Sequence, residues 1–242
     1  STYNSTLSVT ILPVVISRLT GLAGLLIFKT VFPILLGLVP LAMYTVLRQY
    51  INRDWALLAV LLLVFQHAFY FTMPLAAKQL IGWVFMAALV LAITSRPGIG
   101  MNLLRVVFLL ALVVSHYSTA FLVVVLLALA VPILIWQHRG NQSISVNLGT
   151  LAVAATLGWY LYSADSTTFD TFTVLGSGFM ESLLSGFADP GATYATGLLA
   201  RTELSPARLL LKFTYIALQG FIAVGMVTYL WRWIRKKRVE FP

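Results

Sequence analysis

A chain of 242 residues with 60% hydrophobic residues, only 10% charged residues and a mean hydropathy of +0.94 falls outside the range of soluble domains, which carry about 25% charged residues. The net charge of +9 does not indicate nucleic acid, because the Lys and Arg residues sit between apolar blocks or at the far C-terminus, where they orient membrane segments. The absence of cysteine excludes disulfides, thiol catalysis and thiolate metal sites, and three scattered histidines argue against a metal centre.

The apolar residues run in long blocks without the two-residue alternation of a membrane β-barrel. The expected fold is therefore all-α: a polytopic transmembrane bundle forming a single domain over 1–242, with about seven spans. Residues 1–22 include "LSVTILPVVISRLTG", an apolar stretch interrupted by Pro13, Ser17 and Arg18. It reads as an outer interfacial helix. Asn4-Ser5-Thr6 is a weak glycosylation pattern there, and Asn141-Gln142-Ser143 repeats it on the opposite side.

Six spans follow over 23–163. The first is 23–47, with Pro33 and Pro40 as expected kinks, and it ends at "RQYINRD". The second, 55–73, carries Gln66 and His67, a pair suited to an interhelical hydrogen bond. The third, 75–94, opens on "AAKQLIGW", which puts Lys78 and Gln79 at a helix N-terminus where an anion is favoured. Anchoring at the headgroups is the plainer alternative for Lys78.

The run Leu103–Trp136 decides the span count. As one helix it would reach about 51 Å, against about 30 Å of hydrocarbon. The polar cluster "SHYST", Ser115–Thr119, divides it into spans at 103–114 and 119–136. Ser and Thr suffice to cap a helix, so His116 is the informative residue, as a donor to phosphate or as a proton shuttle. No G-x-S-x-G elbow and no neighbouring acid supports a Ser-His-Asp triad.

The sixth span, 145–163, ends in Trp159, Tyr160 and Tyr162. Residues 164–207 form a long outer loop holding Asp165, Asp170, Glu181, Asp189 and Glu203. These acids offer oxygen ligands to a divalent cation or a sugar, but no EF-hand spacing is present and solvated surface is the plainer reading. The last span and a basic tail occupy 208–238.

Alternation of the spans places Arg48, Arg53, Arg96, Arg139 and the tail from Arg232 to Arg238 on one side. That richer side should be cytoplasmic, with the C-terminus. The other side gathers Arg18, Lys78, His116, Arg201, Arg208 and Lys212, with Lys29 inside the first span. A cationic group at the outer face suits a lipid phosphate or pyrophosphate, since Arg and Lys hold phosphate oxygens by charge-assisted hydrogen bonds.

The blocks "LSVTILPVVISRLTG", "IFKTVFPILLGLVPLAMYTVLR", "AAKQLIGWVFMAALVLA" and "VVSHYSTAFL" follow one another over Leu7 to Trp136. In that order they resemble a group of archaeal-type membrane proteins that is itself similar to the GT-C superfamily of polytopic glycosyltransferases. The resemblance implies a GT-C-like bundle that takes a sugar from a polyisoprenyl-phosphate carrier at the outer face and passes it to a glycan or protein acceptor. It implies an acidic residue in the first outer loop, as base or metal ligand. Residues 1–22 would end that loop, placing the acid upstream of Ser1. The substrate-binding candidates are Lys78, Gln79 and His116 from the family pattern, and Arg201 and Arg208 from charge and topology. A transporter or flippase of a lipid-linked anion, or a non-catalytic membrane scaffold, would use the same cations without the acid.

Overall fold

The computed structural model describes residues 6–66, 68–136, 146–163 and 206–236. Among these the secondary structure is helical, with no strand. The chain divides into two compact units, Ser1–Thr173 and Val174–Pro242.

The first unit begins with α1, Leu7–Thr20, which lies where the interfacial helix is expected. It stops at Gly21, whose φ of 72° is left-handed and whose N–H donates to Ser17 O at 2.8 Å. Glycine takes this conformation without a Cβ penalty. Leu12 and Ile16 of α1 pack on an apolar cluster of the bundle.

Helix α2 spans Gly24–Leu47. Pro33 lacks an N–H, and its ring crowds the carbonyl one turn earlier. The helix accommodates it with a π-helical segment at Ile27–Val31, closed by Phe32 N–H onto Ile27 O. Before Pro40 the turn tightens, with Gly37 N–H bonding Ile34 O at 3.0 Å. The expected proline kinks thus appear as a widened turn and a tightened one.

Helix α3, Arg53–Val64, starts on Asn52, whose side-chain oxygen accepts Trp55 N–H at 3.1 Å. A bend of 57° separates it from α4, Phe69–Leu75. The segment predicted as one continuous second span is therefore broken at its middle.

Helices α5 (Ala77–Thr94), α6 (Ile99–Ser115), α7 (Tyr117–Trp136) and α8 (Val146–Ser163) follow. Contacts fix their directions. Gly82 of α5 meets His116, Leu89 shares a cluster with Leu109 and Leu112, and Ala92 O accepts from Arg105. These pairings make α5 and α6 antiparallel. Along α8, Gly149 lies against Val131 while Tyr160 returns to Val113 and Phe121. Helix α8 thus runs back toward the end where α5 and α7 begin. That end is called the turn end below.

The far end is pinned by Arg105. The residue is 2% exposed, and its guanidinium donates to Ala92 O at 2.9 Å, to Ser95 O at 3.2 Å and to Asn102 Oδ1. It satisfies carbonyls left open at the C-terminus of α5, where a cation also suits the helix dipole.

The second unit contributes α9, Pro206–Lys236. The expected last span lies within it.

Helices therefore lie over every segment where a span is expected. Among the described residues two helices, Gly24–Leu47 and Ala77–Thr94, are long and apolar enough to cross a membrane, or three if the bent α3–α4 pair counts as one span. Helix α6, at 17 residues, reaches about 26 Å and falls short of a full hydrocarbon core. The outer surfaces carry Leu57, Leu61, Leu122, Val125, Leu126 and Leu129, all exposed. Exposed apolar side chains of this kind suit contact with lipid. Between helices in lipid, packing and interhelical hydrogen bonds supply the stability.

Candidate functional site

The turn end is built around a single non-helical residue. The long apolar run breaks at His116 alone, with φ −157° and ψ 116°. Helix α6 therefore ends inside protein, and its last carbonyls need partners. Leu112 O accepts His116 N–H at 3.2 Å, Val113 O accepts the Tyr160 hydroxyl, and Ser115 O accepts the Ser8 hydroxyl at 2.9 Å. Three elements, α1, α8 and the turn itself, thus cap one buried helix end.

The start of α7 is capped by His116. Its carbonyl accepts Ala120 N–H at 3.1 Å, and its Nδ1 accepts Thr119 N–H at 3.4 Å. The hydroxyls of Thr119 and Ser118 lie at 2.8 and 3.1 Å from the same Nδ1. Ser and Thr were expected to form the cap and His116 to be free for a ligand. In the structure the imidazole occupies the N-cap position, because its ring nitrogen reaches the N–H three residues on in the way a Ser or Asn oxygen does.

Aromatic rings frame the turn. Tyr117 stacks on His116 at 5.3 Å, and Tyr160 meets Tyr117 edge-on at 6.4 Å. Phe121 stacks on Tyr160 at 6.0 Å. Helix α5 closes the remaining side. A Cβ on Gly82 would come within 2.9 Å of His116 Cβ and 3.3 Å of Thr119 Oγ1. Lys78 lies one turn before Gly82 on the same face, half-buried beside half-buried Gln79.

Burial and the charge of Lys78 pull the imidazole of His116 down from its ordinary 6.5 to about 4. The ring is neutral at pH 7. Two helix N-termini, those of α5 and α7, meet here and add partial positive charge. Asp54 is the one acid among the described residues, and it lies in the first turn of α3, after the 48–52 loop that closes the other end of α2. No cluster of three His, Asp or Glu residues able to hold a metal occurs among the described residues.

The structure thus brings Lys78, Gln79 and His116 to one place. Arg201 lies outside the described residues, as do His67 and the acids of the 164–207 loop. Arg208 stands in the first turn of α9, in the second unit. Lys29 lies in the π-helical segment of α2 and is exposed. The sequence reading missed Ser8, Gly82 and Tyr160, whose partners are all distant in the chain, and Arg105, which sits in an apolar run and resembles a snorkelling residue.

Neither the curated proteins nor the solved structures give a match. Residues 101–241, from α6 to the basic tail, match the model of the family described as Predicted membrane protein (DUF2206). That match covers more than half of the chain, and the protein belongs to this family of membrane proteins.

Proposed function

We propose that the turn end binds the phosphate of a lipid-linked sugar donor, and that the protein is a GT-C-like glycosyltransferase using a polyisoprenyl-phosphate carrier. The observation that carries this reading is the placement of Lys78. It is the second residue of α5, where a cation opposes the helix dipole by roughly 0.3–1 kcal/mol. It stands beside a second helix N-terminus and a neutral histidine. A half-buried lysine at such a position can hold a phosphate as a point charge.

In this reading about seven helices cross the membrane, α6 and α7 meeting near the outer face with the C-terminus in the cytoplasm. The excess of Lys and Arg at the far end and in the tail supports that orientation. Lys78 and the two helix N-termini would stabilise negative charge developing on the carrier phosphate as the glycosidic bond breaks. A carboxylate would activate the acceptor hydroxyl or amide.

The test is sugar transfer by the full-length protein in lipid nanodiscs from polyprenyl-phosphate-linked donors. The proposal expects transfer to fall at least tenfold in Lys78→Gln. Absence of transfer from every such donor, with no binding of polyprenyl phosphate, would overturn it.

A further inference from the structure

The hydrogen bonds at His116 bear on more than the helix cap. Three groups converge on Nδ1: the Thr119 hydroxyl, the Ser118 hydroxyl and the Thr119 backbone N–H. A hydroxyl can donate or accept, but a backbone N–H can only donate. A proton on Nδ1 would point directly at that N–H. Nδ1 must therefore present its lone pair, and the single proton of the neutral ring sits on Nε2.

We infer that Thr119 is a positioning residue that locks His116 as the neutral Nε2–H tautomer, so that the turn end presents one fixed N–H donor to a phosphate oxygen and no base. The ring cannot reorient easily. Tyr117 stacks on one face, and Gly82 presses on Cβ from α5. Rotation would also strand the N–H of Thr119 at a buried helix start. Among the described residues, the titratable groups around the ring are Lys78 on α5, Tyr117 on α7 and Tyr160 on α8, while α1 contributes Ser8, which does not titrate. A second positive charge beside Lys78 and two helix N-termini is disfavoured, so the lock is not released by mild acid. The proton-shuttle role considered for His116 requires Nδ1 and Nε2 to exchange roles, which the Thr119 N–H opposes.

The tautomer follows from this chain's own hydrogen bonds, whereas the phosphate as its ligand rests on the function proposed above. One experiment separates the two. Full-length protein carrying ¹⁵N-histidine is placed in nanodiscs, and His116 is assigned by its loss in His116→Asn. Without ligand at pH 7, the ring should show an unprotonated Nδ1 and a protonated Nε2. Thr119→Pro, which removes that N–H in the first helical turn where proline is tolerated, should bring in the other tautomer or the imidazolium, and Thr119→Val, which keeps the N–H, should leave the original pattern in place. A protonated Nδ1 in the wild type, or no change in Thr119→Pro, overturns the lock. Polyprenyl monophosphate is then added. A shift at Nε2 supports phosphate as the ligand, while no shift in a ring that keeps its tautomer overturns the ligand and leaves the lock standing.

Discussion

Gly82 and His116 meet so closely that a single added carbon would collide: a Cβ on Gly82 lies 2.9 Å from His116 Cβ. Helix α5 can seat itself against the break between α6 and α7 only because position 82 has no side chain, which is how small residues let membrane helices approach. Gly82→Ala should therefore cost about 1–3 kcal/mol through overpacking. Gly158→Ala, where nothing lies within 4 Å, should be neutral or stabilising by about 0.5–1 kcal/mol. Thermal unfolding of the two variants in nanodiscs compares them directly, and equal melting shifts would show that the contact does not matter.

The cap on α6 predicts a local effect. Tyr160→Phe removes the donor to Val113 O, and Ser8→Ala removes the donor to Ser115 O. Each should cost about 0.5–1.5 kcal/mol. Hydrogen exchange should rise around the turn, at Ser115–Thr119, before it rises elsewhere in α6. A uniform rise along the helix would instead indicate global loosening.

Arg105 should be the most sensitive basic residue of the bundle. Arg105→Met removes the donor to Ala92 O, Ser95 O and Asn102 Oδ1 together. Leaving the buried Ala92 O unpaired costs about 1–3 kcal/mol. Limited proteolysis should then open the connection at 95–98. Arg96→Met serves as the exposed control and should leave cleavage unchanged.

The pH response follows from His116. Its folded pKa is pulled down to about 4 by burial and by Lys78, below its ordinary 6.5. Between those values the unfolded chain binds the proton that the folded chain refuses. Stability should therefore be constant above about pH 6.5 and fall as the pH drops toward 4. His116→Asn keeps a side-chain acceptor at the cap and removes the titration, so its loss of stability between pH 7 and 5 should be smaller than that of the wild type. Parallel melting curves for the two proteins would contradict the assignment.

That the described residues are helical and membrane-like was legible from hydropathy and length alone. Ser115–Thr119 stood out because an apolar run too long for one crossing carried a polar cluster at its middle, and the chain breaks there at His116. Lys78 and Gln79 stood out as polar residues opening an apolar helix. What could not be read was which residues come together. Ser8 reaches across 107 positions to Ser115, and Tyr160 across 47 to Val113. Gly82 looked like an ordinary helical glycine. The cap on α7 was misassigned because local preference favours Ser and Thr, whereas burial and the three-residue offset to Thr119 gave the position to the imidazole. The break in the second expected span falls beside Gln66, which reads in the sequence as half of an interhelical hydrogen-bonding pair rather than as an interruption of the helix.

The central claim is that an anionic lipid phosphate sits beside Lys78 and His116. The most direct measurement is the affinity of the full-length protein in nanodiscs for polyprenyl monophosphate, compared with the uncharged polyprenol, in the wild type and in Lys78→Gln. The account predicts at least tenfold preference for the phosphate, lost in Lys78→Gln and retained in Arg96→Gln at the far end. Equal affinity for phosphate and alcohol, or a preference that survives Lys78→Gln, would contradict it.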